Sequence, residues 1–318
     1  MVKGEMDFSE LAELININSY TKNKQGVDKS GALFRQWMEE IGFVTYVYQR
    51  EMIGNHLLFT STQSTGKKLL LLGHLDTVFP PLSFETFSED EQWIYGPGAC
   101  DIKGGNYVAL CALRAVKAAC GQIGNIDMLL VSDEETGSDD SKLISQQLAE
   151  QYDYVLVFEA AGKNNELVTG RKGVGTFFID IKGKAAHAGN QMRYTNMKER
   201  DRVLEAIHVI THTHEVEGTD ASLSGDIQRD VMEPNEKQQR FLRQLESITG
   251  DRLLTEQRGG VSDANIFASK GCITLDGFGP FGDGDHTIHE RANKQSFITR
   301  IEQVRKILMH YNQGLEKD

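Results

Sequence analysis

Three short apolar runs in the first half of the chain constrain its fold more than any other feature. The runs cover residues 68–72, 128–131 and 154–158, and each is continuous instead of alternating with polar residues. Strands of a parallel sheet that is covered on both faces have this character. In residues 106–117, between the first two runs, apolar side chains recur at the helical spacing i, i+3, i+4 and i+7. This order of strand, helix and strand predicts an α/β domain in which helices cover a parallel sheet.

The pattern changes after Val174, and the middle of the chain is predicted to be an insertion. The segments that follow are, in order, a strand with one solvent-exposed face, a polar helix, a Gly/Asp/Ser-rich stretch, an amphipathic helix and an apolar strand: 177–181, 198–213, 217–226, 235–249 and 273–275. We therefore expect a main domain built from residues 1–171 and 258–318, with an inserted domain over 172–257.

The charge balance and the cysteine pattern exclude several classes of protein. The chain has 34 basic and 46 acidic residues, a net charge of −12 and a pI near 5.3. Such a balance argues against a nucleic-acid-binding protein, which needs a basic face, and against an anionic membrane surface as partner. The apolar runs are far shorter than the roughly 18 residues that cross a bilayer, and the N-terminus has no signal-peptide pattern. With four cysteines and no CxxC pair, we expect a reduced, cytoplasmic protein.

Acidic residues and histidines follow the predicted strands at the points where the strands end. The candidates directly after these strands are His74, Asp76, Asp133, Glu134, Glu135 and Glu159. Two further candidates are Asp101, among glycines at a predicted helix start, and His286, in an acidic loop near the C-terminus. Because the carboxyl ends of parallel strands meet at one edge of a sheet, we expect these side chains to lie close together. His74 and Asp76 project to the same side of an extended segment. The carboxylate can therefore accept a proton from one imidazole nitrogen while the other nitrogen binds a metal.

This set of side chains indicates a site for divalent ions. Two imidazoles and several carboxylates form a mixed nitrogen and oxygen set that suits Zn²⁺ or a similar ion. The acids outnumber the ligands that one tetrahedral ion can use, whereas two ions that share a bridging carboxylate use them better. Each residue alone has a simpler explanation: His74 packs or caps, Asp101 is a helix N-cap, and the Glu134–Glu135 pair begins a solvated helix. Cys100 is expected to be a small buried residue and not a ligand.

The same segments resemble, in order, the motifs of a known enzyme family. The motifs are 73–78 (GHLDTV), 98–105 (GACDIKGG), 132–138 (SDEETGS), Glu159, 170–173 (GRKG), 185–189 (AAHAG), 259–264 (GGVSDA) and the His286 loop. They are similar to those of the M20 metallopeptidases, with the glutamate carboxypeptidase (carboxypeptidase G2-like) branch as the nearest. The resemblance covers nearly the whole chain.

The resemblance implies a hydrolase with two Zn²⁺ ions per chain, for which Co²⁺ or Mn²⁺ can substitute. It also implies a zinc-peptidase-like catalytic domain, with a mixed and largely parallel sheet flanked by helices, and a small inserted α+β lid. By motif position, His74 and Glu159 would bind one ion and Glu135 and His286 the other. Asp101 would bridge the two ions.

Roles for further residues follow from the same matching of motifs. Glu134 would be the general base, and Asp76 would orient His74. In the family, a lid histidine that matches His187 reaches across a dimer to the scissile carbonyl. The residues expected to contact the substrate are Arg171, Gly260 and Ser262.

One segment departs from the family pattern. In the family, the first lid helix is followed by a β-hairpin and a second helix before a Pro-containing return to the catalytic domain. Here the chain runs from the predicted helix at 198–213 through the stretch at 217–226 directly to 231–234 (VMEP). About two strands and a helix are therefore missing. Because family dimers pair along a lid strand, homodimerisation stays open, and the predicted strand at 177–181 is a candidate to pair with its copy.

The expected activity is the hydrolysis of an amide bond. A carboxypeptidase of this kind would release a C-terminal amino acid, such as glutamate, from a peptide or an N-acyl amino acid. Two alternatives stay open. A two-metal phosphoesterase uses similar ligands, and the shortened lid allows a weakly active or non-catalytic zinc-binding homologue. Because the predicted ligand set is intact, an active enzyme is favoured over a non-catalytic homologue.

Overall fold

The computed structural model describes residues 6–182, 186–213 and 219–312, and for residues 186–190 it describes the backbone alone. The helices are α1 (Ser9–Ile15), α2 (Lys24–Glu40), α3 (Lys103–Cys120), α4 (Ser141–Ala149), α5 (Met197–His212), α6 (Glu236–Thr249), α7 (Ala264–Ser269) and α8 (Lys294–Asn312). The strands are β1 (Val44–Tyr48), β2 (His56–Thr60), β3 (Leu69–His74), β4 (Ser88–Glu89), β5 (Trp93–Tyr95), β6 (Ile126–Val131), β7 (Tyr154–Val157), β8 (Leu167–Arg171), β9 (Gly173–Lys182), β10 (Ala186–Tyr194), β11 (Asp220–Arg229), β12 (Thr255–Arg258), β13 (Ile273–Leu275), β14 (Gly282–Asp283) and β15 (Arg291–Asn293). Within this part of the chain, no helix is both long and apolar enough to span a membrane.

A six-stranded sheet in the order β1-β2-β6-β3-β7-β13 forms the centre of the main domain. The four strands from β6 to β13 are parallel to one another, whereas β1 and β2 pair antiparallel. The three apolar runs of the sequence are β3, β6 and β7, which lie side by side in this sheet. The predicted α/β class, with a mixed and largely parallel sheet, is confirmed.

Helices cover both faces of this sheet because its strands carry apolar side chains on both sides. On β3, Leu69 and Leu71 pack into a core with side chains of α2, α3 and α8. Leu70 and Leu72 point the other way and pack with side chains of α4 and α7. Burial of each such side chain stabilises the fold by roughly 1.5–3 kcal/mol. A strand covered on both faces needs this continuous apolar run.

A four-stranded sheet in the order β14-β15-β5-β4 joins two loops that are distant in sequence. β5 leads into the loop that carries Asp101, and β14 and β15 flank the loop that carries His286. The loops approach so closely that a Cβ on Gly282 would lie 2.2 Å from the Cβ of Cys100. This small sheet therefore brings the loops of Asp101 and His286 to the edge of the main sheet.

The inserted domain contains a three-stranded antiparallel sheet, β10-β9-β11, and helix α5. The strand predicted at 177–181 is part of β9, and the helix predicted at 198–213 is α5. β9 is the central strand, with β10 paired along one side and β11 along the other. The expectation that the strand at 177–181 pairs with its copy is therefore wrong, because both of its edges are hydrogen-bonded within the chain.

The Gly/Asp/Ser-rich stretch at 217–226 runs into a strand, β11, that was not predicted. In β11, Ala221, Leu223 and Ile227 are half-buried and alternate with exposed neighbours. This period of two is that of a strand with one covered face. It was not evident in the sequence because small and polar residues occupy most of the positions.

Packing places two elements of the predicted insertion in the main domain, the predicted helix α6 and the strand β12, which was not predicted. Phe241 of α6 stacks on Tyr154 of β7 with ring centroids 4.1 Å apart, and Phe241 and Leu245 are part of the main core. β12 pairs in parallel with β8. An amphipathic pattern alone could not reveal which sheet α6 covers. We propose that the inserted domain spans residues 173–229, instead of the 172–257 expected from the sequence.

Candidate metal centre

Side chains from separate loops converge at the carboxyl edge of the main sheet. His74 ends β3, Glu135 lies in a short 3₁₀ turn after β6, and Glu159 follows β7. The small sheet adds Asp101 and His286 from its two loops. The structure thus brings together all five side chains that the sequence predicted as metal ligands.

Asp101 lies between the two histidines. Its Oδ1 is 3.2 Å from Nε2 of His74, and its Oδ2 is 3.1 Å from Nε2 of His286. Oε1 of Glu159 lies 3.8 Å from Nε2 of His74, and Oε2 of Glu135 lies 3.2 Å from Nε2 of His286. The five groups therefore form two halves, one with each histidine, and the halves share Asp101.

The charges and distances of this cluster fit divalent cations. One ligand atom from each of His74, Asp101 and Glu135 lies within 4.8 Å of the other two. Burial, assisted by the charge of Asp101, raises the pKa of Glu135 to about 8 and raises the pKa of Glu159 well above its usual range. These raised pKa values arise chiefly because burial disfavours the negative charge of a carboxylate. A bound divalent cation would balance it.

The ring of His74 is held from its other side. Its Nδ1 lies 2.9 Å from the backbone oxygen of Asp76 and 3.3 Å from Oδ1 of the same residue. An Nδ1–H that donates to Asp76 leaves Nε2 free to face Asp101. Asn106, which was not predicted as a site residue, donates from Nδ2 to the backbone oxygen of His74 at 2.7 Å. A Cβ on Gly73 would lie 2.0 Å from Oδ1 of Asn106, so any other residue at position 73 would displace the Asn106 side chain.

Glu134 lies beside the predicted ligands and faces an arginine. Its Oε1 is 3.0 Å from Nη1 of Arg229, at the end of β11. Burial raises the pKa of Glu134 to about 7, although the positive charge of Arg229 acts in the opposite direction. A carboxyl group with a pKa near neutrality is suited to accept a proton and pass it on.

A cavity of about 470 Å³ opens next to this cluster. Its lining includes Glu134, Glu159 and His286, together with the loop 259–261 and the side chains of Arg171 and Arg258. Of the residues predicted to contact the substrate, Arg171 and Gly260 therefore border the cavity. Arg258 was not predicted, because one arginine before a Gly-Gly pair carries no specific signal.

Ser262, the third residue predicted to contact the substrate, is placed differently. It is buried, and its hydroxyl donates to Oδ2 of Asp276 at 2.9 Å. The same oxygen lies 2.6 Å from Nε of Arg171, and Nη1 of Arg171 donates to the backbone oxygen of Gly260 at 3.1 Å. Of the described residues in this segment, Val261 lines the cavity and Ser262 does not. Ser262 therefore lies behind the cavity wall and supports it through the hydrogen bond to Asp276.

A buried carboxylate, Glu290, supports the loop of Asp101. It accepts hydrogen bonds from the backbone N–H groups of Gly98, Cys100 and Asp101 at 3.1, 3.0 and 3.1 Å. Burial and the charge of Asp101 raise the pKa of Glu290 to about 7. No sequence pattern indicated this contact, which joins residues far apart in the chain. Cys100 itself is fully buried, and burial raises the pKa of its thiol well above the usual range.

The side chain of His187 lies outside the described residues. Its backbone is part of β10 and pairs with Asp180 on β9. The expected role of its imidazole therefore stays a prediction.

Comparison with known proteins identifies the family of the chain, and the result agrees with the geometry of the site. The model of peptidase family M20/M25/M40 matches residues 70–310. The chain belongs to this family. Carboxypeptidase G2 from Pseudomonas sp. (strain RS-16) is 34% identical over 185 residues, which cover 56% of this chain and 45% of that protein. The chain spans about half the length of the relatives that it matches in sequence.

Solved structures of the M20 family share the fold. Aminopeptidase PepT from Bacillus cereus ATCC 10987 superposes with a TM-score of 0.77 at 16% identity, covering 97% of this chain and 100% of that one. The Bacillus subtilis protein YXEP superposes with a TM-score of 0.71 at 12% identity, covering 97% and 100% of the two chains. That structure is described as a dinuclear metal binding peptidase from the M20 family. The predicted resemblance to M20 peptidases is confirmed.

Proposed function

We propose that the chain is a two-metal amidohydrolase, a carboxypeptidase that releases a C-terminal amino acid such as glutamate from a peptide or an N-acyl amino acid. The observation that carries this proposal is the position of Asp101, whose two carboxylate oxygens face different histidines. A carboxylate in this position is suited to bridge two ions.

The residues around Asp101 provide a set of ligands for each ion. His74 and Glu159 would hold one Zn²⁺, and Glu135 and His286 would hold the other. Co²⁺ or Mn²⁺ would substitute in the same ligand set. When bound, such ions lower the pKa of a coordinated water from 15.7 to about 7, which supplies the nucleophile.

Glu134 would act as the general base. It borders the cavity next to the ligand cluster, so its carboxylate is placed to accept a proton from the attacking water. It would then transfer that proton to the amine nitrogen as the amide C–N bond breaks. Acid–base catalysis of this kind typically contributes about 10²–10⁴-fold. His187 would donate a hydrogen bond to the oxygen of the scissile carbonyl as negative charge develops there.

Positive charge in the cavity supports a substrate with a free carboxylate. Arg171 and Arg258 line the cavity beside the acid cluster. Nη1 of Arg258 donates to the backbone oxygen of Ala160 at 2.9 Å. Ala160 directly follows the predicted ligand Glu159 in the sequence. Guanidinium groups bind carboxylates through charge-assisted hydrogen bonds. Arg171 is already paired with Asp276, and Arg258 with Glu256. A C-terminal carboxylate or a glutamate side chain would therefore share these guanidinium groups with the protein's own acids, close to the predicted metal ligands.

A substrate screen of the purified chain tests this proposal. The chain is loaded with Zn²⁺, Co²⁺ or Mn²⁺ and is offered N-acyl amino acids and dipeptides with C-terminal glutamate, with nitrophenyl phosphate as the alternative substrate. We expect release of a free amino acid by the wild type and almost none by Glu134→Gln. Hydrolysis of the phosphate ester alone would identify a phosphoesterase, and no hydrolysis of any substrate would support the non-catalytic alternative.

A further inference from the structure

Arg229 connects the inserted domain directly to Glu134. It is the last residue of β11 and is only 4% exposed, although it carries a full positive charge. Its Nη1 lies 3.0 Å from Oε1 of Glu134, and its Nη2 donates to the backbone oxygen of Glu134 at 3.0 Å. One guanidinium group therefore holds both the carboxylate and the backbone of the same residue.

Two further partners fix the position of this guanidinium group. Nη2 also donates to Oγ of Ser138 and, at 3.1 Å, to Oδ1 of Asp263. The hydroxyl of Ser138 in turn donates to Oδ1 of Asp263 at 2.5 Å. Asp263 immediately precedes α7 in the main domain. Because Glu134 and Ser138 stand at the two ends of one turn, Arg229 ties that turn to the start of α7.

We propose that Arg229 is a positioning residue for Glu134 and makes the end of the lid strand β11 part of the catalytic machinery. This inference rests on the proposed function, in which Glu134 is the general base. A glutamate side chain has three rotatable bonds, and a base acts only when its carboxylate stays within reach of the proton it removes. The planar fork of an arginine restricts such a carboxylate more than a single ammonium group does.

The contacts of Arg229 distinguish this role from direct binding of a substrate carboxylate. Arg229 borders a second cavity of about 330 Å³, together with Arg193 and Gln228, so a contact with substrate is the natural alternative. However, Nη2 already donates to three groups of the protein, Nη1 is in an ion pair with Glu134, and Nε, which has no hydrogen-bond partner, is buried. A substrate would have to displace these contacts to use the guanidinium group. The geometry therefore assigns it to the base.

Steady-state kinetics of Arg229 variants provide the first test. Arg229→Ala and Arg229→Lys are compared with Arg202→Ala, which removes a solvent-exposed lid arginine paired with Glu199. We expect kcat of both Arg229 variants to fall by about 100-fold, since small misplacements of a catalytic group have effects of this size. KM and metal content should stay close to wild type, and Arg202→Ala should be unaffected. A rise in KM at unchanged kcat would overturn the proposal and make Arg229 a substrate contact.

Chemical rescue and hydrogen exchange separate positioning from general loss of structure. Millimolar guanidinium should restore part of kcat in Arg229→Ala and none in Glu134→Gln, whereas a merely destabilised protein would not respond. Amide exchange in residues 132–138 should be faster in Arg229→Ala than in wild type and should slow again with guanidinium. Unchanged exchange would overturn the proposal whatever the substrate is. If the wild type hydrolyses no substrate, the proposed function fails while this exchange result still decides the role of Arg229. If Arg229→Ala does not fold, exchange in Arg229→Lys decides.

Discussion

The carboxylate of Glu290 accepts hydrogen bonds from the backbone N–H groups of both Cys100 and Asp101, at 3.0 and 3.1 Å. Glu290 follows the loop of His286 and is nearly inaccessible to solvent. One buried carboxylate therefore holds together the two loops of the small sheet, each of which carries a predicted metal ligand. The relative position of Asp101 and His286 depends on this contact.

Replacement of Glu290 should weaken metal binding although Glu290 is not a predicted ligand. Glu290→Gln removes the negative charge and one of the two acceptor oxygens that face the backbone N–H groups. We expect metal affinity to fall by about 10–100-fold, the usual effect of losing a group that orients the ligands. Competition with a chelator measures it, with Glu302→Gln on the surface of α8 as the control. Equal affinities in the two variants would contradict this role.

Metal binding should release protons at neutral pH. In the metal-free protein, the pKa of Glu135 is raised to about 8 by burial, and the pKa of His286 is raised to about 11 by hydrogen bonds to Asp101 and Glu135. Because the pKa of each group depends on the charge of the other, the pair as a whole holds protons at about pH 7 that it must lose before both groups bind an ion. Affinity should consequently rise with pH and fall as the solution becomes more acidic. Calorimetry in buffers of different ionisation enthalpy counts the protons, and a heat that does not depend on the buffer would contradict the expected release.

Glu134 and Glu135 are adjacent in sequence but should differ in function. Glu134→Gln keeps the size of the side chain and cannot accept a proton, so kcat should fall by about 10²–10⁴-fold while metal content is retained. Glu135→Gln should lose metal, because its carboxylate is close to His286 in the ligand cluster. Elemental analysis and kinetics of the two variants decide the assignment. Loss of metal in Glu134→Gln with retention in Glu135→Gln would reverse it.

The buried sheet and the ligand cluster could be predicted because both follow from local rules. A strand covered on both faces must be apolar throughout, and polar residues at the carboxyl ends of parallel strands must converge. His74, Glu135 and Glu159 were predicted as ligands from the family motifs, and they meet in the structure as that arrangement requires. Asp101 could be placed between the histidines only through the family resemblance, since its loop lies outside the main sheet.

The supporting residues could not be predicted from the sequence. Arg229 and Glu290 act through contacts with residues that are distant in the chain, and nothing in their immediate neighbourhood distinguishes them from surface charges. Strand β11 was missed because its alternating pattern consists mainly of small and polar residues. The assignment of α6 to the insertion failed for a related reason, since an amphipathic helix does not reveal which partner covers its apolar face.

His187 should act across an interface between two copies of the chain. In the part of the sheet that the structure describes, β10 pairs with β9 on one side only, and such an edge is open to a second copy. Mixing His187→Ala with Glu134→Gln should then restore activity, because half of the exchanged dimers contain one complete site. We expect about a quarter of the wild-type activity for a symmetric dimer. An inactive mixture, together with light scattering that shows a monomer, would contradict a site shared between two chains.

The number of ions bound per chain tests the two-metal centre most directly. The wild type and Asp101→Ala are stripped of metal, reconstituted with Zn²⁺ and analysed for metal content after removal of excess ion. Because Asp101 faces both His74 and His286, we expect two ions per wild-type chain and a marked loss in Asp101→Ala. One ion per reconstituted wild-type chain, or two ions retained by Asp101→Ala, would contradict this expectation.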